Sequence, residues 1–328
     1  MGQRHEPDSR GWQASLLTQL LSIIAPVFGV IAVGFAAVRI GLLGEVGVRR
    51  LVVFVFNAAV PTLLFYRIGT IDVPDQIAWR FLLGYYASAF LAYGLGMLSA
   101  RVLFDRPIGE QSIHGLGAGF SNTVLLGIPL LVSAFGDEAT VPVFLIISFH
   151  SATLLPVSIL FLEAGRRKAG QSTELRVIRL ILEVLANPII VGILLGLGVS
   201  LLGLSLPEPI DALASLMSTL AIPCALLALG ASLAGFRLQG QVAAASVLAV
   251  IKLLVQPVIA WIIVVPILGV GAPWAPVAVV MAGLPSGAMV YLFGARYETG
   301  SEVAASAVVL SSAASIVTLS VLLVLMGA

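Results

Sequence analysis

Charge is scarce in this chain. Only 10% of its 328 residues are Asp, Glu, Lys or Arg, against roughly 25% in a soluble domain. The near balance of 17 basic and 16 acidic residues leaves no basic surface, and no run of Lys or Arg interleaves with aromatics as nucleic-acid binding requires. Cysteine is all but absent. Cys224 alone excludes an internal disulfide and a cysteine-held metal centre, and in its apolar setting it reads as a small core residue. No group of metal ligands, no nucleophile with a base at helical spacing and no phosphate-binding loop occurs. The GLGAGF run at Gly115–Phe120 sits inside an apolar segment with no soluble strand before it, so it is no dinucleotide loop. These absences argue against an enzyme and lead us to expect no cofactor, no metal and no nucleic-acid partner.

What is abundant is apolar sequence, 59% of residues with a mean hydropathy of +1.10. Runs of ~20 apolar residues, the length that crosses a bilayer, recur down the chain. The sequence predicts spans at Leu16–Arg39, Val48–Tyr66, Ala78–Phe104, Ser112–Phe135, Glu138–Leu162, Val177–Leu201, Ile210–Gly235, Val242–Ile267, Pro276–Tyr297 and Ser301–Leu325. The first run is too long for the apolar part of a signal peptide. Residues 1–15 are then a polar tail, 16–162 hold five spans, 163–176 form a short basic loop, and 177–328 hold five more.

The halves look like copies. Asn57-Ala-Ala-Val-Pro61 matches Thr219-Leu-Ala-Ile-Pro223 at an offset of 162 residues, and Ala118-Gly-Phe120 matches Ala282-Gly-Leu284 at 164. With five spans in each half the second copy enters the membrane from the opposite side, an inverted repeat. Lys and Arg in short loops divide four against twelve. Arg4, Arg10, Arg67 and Arg80 share the side of the termini, and the other side includes Arg49, Arg50, Arg166 and Arg167. Because positive loops stay inside, both termini are expected outside the cell membrane and the 163–176 loop in the cytoplasm.

Two stretches break the apolar pattern at corresponding places, GFSNTVLLGIPL from Gly119 and GLPSGAMVYLFG from Gly283. Ser112 to Asn122 and Pro276 to Pro285 each rise ~15 Å, so the breaks meet near the middle of a ~30 Å hydrocarbon core. A broken helix there must face protein or a water-filled cavity. The half-helix that starts at a break offers free amides and a positive end, which favour a carboxylate. Asn122 adds an uncharged donor, Ser121, Thr123 and Ser286 add hydroxyls, Gly287 lies beside them, and Pro129 and Pro285 border the site as helix breakers. Lys252 falls ~15 Å into the eighth span, where a lysine must be paired, snorkelled or functional. It reads either as half of a pair with Glu183 or as a fixed charge that attracts an anion or stands in for a coupling cation. His150, also at mid-depth, could accept a proton or bond a neighbouring hydroxyl such as Ser148 or Ser151. His114 lies nearer a membrane face. Asn57 and Thr219 precede prolines by four residues and could satisfy carbonyls freed there, or line the site. Gly192, Gly196 and Gly198 read as close-packing positions.

These motifs resemble the auxin efflux carrier family, which includes plant auxin carriers and bacterial malate and malonate permeases. The resemblance rests on Asn122 with Gly127-Ile128-Pro129, on Leu284-Pro285-Ser286 followed by Tyr291 and Arg296-Tyr297-Glu298, and on Asn187-Pro188. It runs from about Leu16 to Leu325. It implies ten helices, with spans 1, 2, 6 and 7 as a scaffold and the others as a moving transport domain whose spans 4 and 9 cross at their breaks. It further implies elevator-type movement of small organic anions and a homodimer formed through the scaffold. The expectation is an inner-membrane permease. The rival readings are a non-transporting ligand or lipid sensor of the same fold and a sodium-coupled symporter of the bile-acid type.

Overall fold

The computed structural model describes residues 9–70, 78–166, 188–236 and 241–327, with side chains described from Ile24 onward. Its described residues are helical throughout, joined by turns and a single isolated bridge. This is what lipid demands, since a helix satisfies its own backbone where no water can. Among the described residues, six stretches are long and apolar enough to cross a membrane: Glu45–Thr70, Trp79–Phe104, Thr123–Gly165, Glu208–Gly235, Val242–Ile267 and Ser301–Met326. The third is not one rod, because Gly136 at φ 64° turns the chain. The protein is therefore a polytopic membrane protein.

We number the helices α1 (Ser9–Arg39), α2 (Glu45–Thr70), α3 (Trp79–Phe104), α4 (Ile108–Gly119), α5 (Ile128–Phe135), α6 (Thr140–Arg166), α7 (Pro188–Leu201), α8 (Glu208–Gly235), α9 (Val242–Ile267), α10 (Trp274–Ala282), α11 (Met289–Arg296) and α12 (Ser301–Met326). Several run past the spans expected from hydropathy. Helix α1 begins at Ser9, inside the expected tail of residues 1–15, and α6 continues to Arg166. Hydropathy marks only the apolar run, while a helix carries on into the polar boundary. Most of the expected 163–176 loop lies outside the described residues.

Prolines shape the long helices in a repeated way. Pro61, Pro129 and Pro257 each follow a five-residue π-helical turn that starts six positions earlier, at Val55, Thr123 and Ile251. Proline lacks an N–H and clashes with the carbonyl four residues back. A wider turn just ahead of it absorbs that clash without ending the helix.

Helix α1 packs on α8, and α2 on α7 and α8; α3, α4, α6 and α9 to α12 pack mainly among themselves. Both outer seams are glycine contacts. A Cβ on Gly230 would lie 1.9 Å from the Ile31 carbonyl oxygen, and one on Gly34 2.2 Å from that of Leu227. On the α2–α7 seam, a Cβ on Gly192 or Gly196 would lie 2.4 or 2.6 Å from the carbonyl oxygens of Pro61 and Phe65. Gly198, expected to do the same, has nothing within 4 Å. Its place on the helix turns it away from the seam. Leu213, Leu216, Val317 and Leu325 point outward, exposed, as an apolar belt facing lipid tails requires.

Candidate functional site

Four helix ends meet in the interior. Helix α4 stops at Gly119 and α10 at Ala282, where both sequence breaks occur. Past each stop a short non-helical piece follows, and the two pieces pair as an antiparallel bridge between Ser121 and Ser286. Asn122 N–H donates to the Pro285 carbonyl and Gly287 N–H to that of Phe120, each at 2.9 Å. Residues 163 and 167 apart in sequence thus satisfy one another's backbone, as a break inside a membrane requires.

Side chains secure the bridge from both flanks. Ser286 N–H donates to Ser311 Oγ at 3.0 Å, and the Ser286 hydroxyl donates to the Gly117 carbonyl at 2.6 Å. Ser121 N–H donates to His150 Nε2 at 3.1 Å, which assigns the ring proton of the neutral imidazole to Nδ1. That proton faces the Tyr85 hydroxyl at 3.4 Å, and Tyr85 donates onward to Ser121 Oγ at 3.5 Å. The Phe120 ring covers the imidazole at 4.3 Å. His150 therefore bonds the bridge and Tyr85, while Ser148 spends its hydroxyl on the Phe144 carbonyl. We expect Ser286→Ala to lower stability by about 1–2 kcal/mol by orphaning the Gly117 carbonyl, read as a lower thermal midpoint in detergent.

A cavity of about 210 Å³ opens beside the bridge. Its wall is polar along Ser121, Asn122, Thr123, Ser148, His150 and Ser151, with Ser232 facing them from α8, and apolar at Val52, Phe56, Ile189 and Ile190. Among the described residues, none that lines it is charged. The helix starts compensate. The first hydrogen bond of the turn leading into α5 runs from Gly127 N–H to the Asn122 carbonyl, so the amides of Val124, Leu125 and Leu126 lack an intrahelical partner. Ala288 and Met289 begin α11 on the same wall. Each such end carries roughly half a positive charge. Asn122, only 6% exposed, has its Nδ2 without a partner.

The other expected site residues fall elsewhere. Gly287 lines the cavity, whereas Ser286 and Pro285 are buried behind it in the bridge, and Pro129 is buried in the first turn of α5. Lys252 does not line the cavity. Wholly buried, it sends Nζ to the Ala282 carbonyl at 2.6 Å, capping the negative end of α10. Its expected partner Glu183 lies outside the described residues. Asn57 sits in a groove between α2 and α7, and Thr219 is exposed on α8. Neither touches the crossing. Their side chains donate to the Val53 and Ser215 carbonyls, one turn before the carbonyls that Pro61 and Pro223 free. Sequence reasoning missed Tyr85, Ser311 and Ser232. Only Ser311 carried a signal, standing next to the position that repeats His150.

A family described as "Membrane transport protein" matches residues 20–323. A Rhizobium meliloti (strain 1021) protein named "Putative malonate transporter" is 25% identical over 94% of this chain and 96% of its own. A Mus musculus protein named "Lysosomal cholesterol signaling protein" is 23% identical over 58% of this chain, and this chain spans about a quarter of that protein's length, 24%. With broken helices bridged inside an apolar bundle and a family match over nearly its whole length, the chain belongs to this family of membrane transport proteins, the auxin efflux carrier family that its motifs resemble.

Proposed function

We propose that the protein is a secondary carrier of small carboxylates across the inner membrane, with the carboxylate seated at the bridged crossing. The observation that carries this reading is the unpartnered Asn122 amide, directed with two half-helix N-termini into a cavity that has no charged wall. A carboxylate supplies the acceptors these donors lack. The name of the Rhizobium relative makes malonate the first substrate to try. In this reading the ten spans form an inverted repeat of five and five with both termini extracytoplasmic. Helices α1, α2, α7 and α8 are the scaffold through which two copies pair, and the rest move as an elevator. Apart from α5, which packs on α1 and α8, the helices of each group pack mainly among themselves, which supports the division.

Uptake of radiolabelled malonate, malate and indole-3-acetate into proteoliposomes tests it, with protein-free vesicles as the blank. Ser232 stands on the cavity wall opposite the bridge and bonds only within its own helix, to the Ala228 carbonyl. Ser232→Phe should therefore fill the cavity and cut uptake at least ~10-fold while leaving the fold intact. Absence of uptake by the unaltered protein would sink the carrier reading. Binding without flux would favour a sensor instead, a role consistent with the name of the mouse relative.

A further inference from the structure

Lys252 lacks a counter-charge among the described residues. It lies fully buried in the π-helical turn Ile251–Val255, and its one hydrogen bond goes to a carbonyl. Helices α3 and α10, which pack on α9, contain no Asp or Glu. The carboxylates of α4 and α12, Glu110 and Glu302, stand in the first turns of those helices, far along them from mid-depth, and Glu110 already engages Arg106. The buried titratable groups of the neighbouring helices are His150 on α6, which accepts the Ser121 N–H, Tyr85 and Tyr93 on α3, which bond His150 and Ser112, and His114 on α4, 4.0 Å from Glu110. None supplies a negative charge. An ammonium so placed is strongly disfavoured unless a negative group comes to it.

The cavity is where such a group would arrive. Lys252 caps α10 at Ala282, three residues before Pro285, whose carbonyl accepts the Asn122 N–H at the cavity's edge, and His150 lines the same cavity. His150 cannot itself take the proton without giving up a bond, because Nε2 already accepts Ser121 N–H. Gln256, one turn beyond Lys252 on α9, is fully buried with both ends of its amide unpartnered. Its oxygen is an acceptor in waiting for a further ammonium N–H.

Resting on the carboxylate-carrier reading, we propose that Lys252 carries the coupled proton: its amine is protonated when a carboxylate enters the cavity and deprotonated when the carboxylate leaves, so anion and proton cross together. A hydronium ion gives its proton to the Nζ lone pair, forming an N–H bond and leaving water. The reverse transfer on the far side returns the proton to solvent. Lys252 thus sets both the charge and the coupling of transport, and the crossing residues set where the anion sits.

The test uses the full-length protein in vesicles loaded with a pH-sensitive dye, with radiolabelled malonate as the probe and indole-3-acetate corrected for leak through protein-free vesicles. Unaltered protein should acidify the lumen in step with uptake. Lys252→Met should take up at least ~10-fold less, because one opposite charge is lost from a low-dielectric site, and what remains should cause no acidification. Lys252→Arg, permanently charged, should transport without moving protons, and it serves equally if the Met variant does not fold. Uptake by the unaltered protein without acidification, or persisting acidification in both variants, overturns the proposal and leaves the carrier reading standing. If Glu183→Gln reproduces the Lys252→Met loss, Glu183 is the counter-charge and the proposal falls. No uptake of either probe by the unaltered protein overturns the carrier reading and this proposal with it.

Discussion

Asn122→Asp is expected to abolish carboxylate uptake, and Asn122→Ala to reduce it by roughly 10- to 100-fold. The alanine figure follows from one hydrogen bond to a charged group, about 1.5–3 kcal/mol, at tenfold per 1.4 kcal/mol. Aspartate does worse because it removes the same donor and sets a second negative charge on the cavity wall, where no lining side chain is positive. The backbone role of residue 122 should survive both changes, since its N–H to Pro285 and its carbonyl to Gly127 are main-chain bonds. Initial rates in proteoliposomes, beside thermal midpoints in detergent, separate the two roles. Equal uptake by Asn122→Ala and unaltered protein would remove residue 122 from the site.

The largest structural effect is expected at Gly230. Even alanine there brings a Cβ to 1.9 Å from the Ile31 carbonyl oxygen, with the Ile31 carbonyl carbon at 2.7 Å and its Cα at 3.0 Å. The obstacle is backbone, so no rotamer change relieves it; α1 and α8 must separate along the seam. We expect a loss of at least ~3 kcal/mol, the upper end of overpacking costs, and with it little monodisperse protein on size exclusion. Gly198→Ala is the matched control, since nothing lies within 4 Å of its Cβ, and it should behave as unaltered protein. A well-behaved Gly230→Ala would mean that the seam is looser than this contact implies.

Composition and hydropathy were enough to read the helical membrane class, because a chain with so little charge and such long apolar runs has few other ways to satisfy its backbone. The breaks were legible too, since Asn, Ser, Gly and Pro cluster at Gly119–Pro129 and Gly283–Gly287, and such clusters inside apolar segments weaken a helix together. Three features were not. The π-turns ahead of Pro61, Pro129 and Pro257 depend on where each helix is held by its neighbours, which no local pattern encodes. Tyr85 was hidden because one tyrosine among the apolar residues of α3 looks like any other packed ring until folding brings His150 to its hydroxyl. Lys252 stands out in its apolar segment, yet its partner is a main-chain carbonyl thirty residues away, and every residue type supplies such a group. Asn57 and Thr219 read either as local backbone partners or as site lining, and both bond a carbonyl one turn back in their own helices. Their matched positions mark the duplication, and duplicated residues keep local bonding roles as readily as they line a site.

The crossing makes its field from peptide groups instead of side chains. Replacing any wall residue by anything but proline leaves the two helix starts, and hence the sign of the potential they project, in place. Val52, Phe56, Ile189 and Ile190 are therefore free to diverge and reshape the space available, while the preference for negative charge is inherited with the backbone. In such a scaffold, new cargo arises by recarving one wall, and reversing the preferred charge would require rebuilding the bundle.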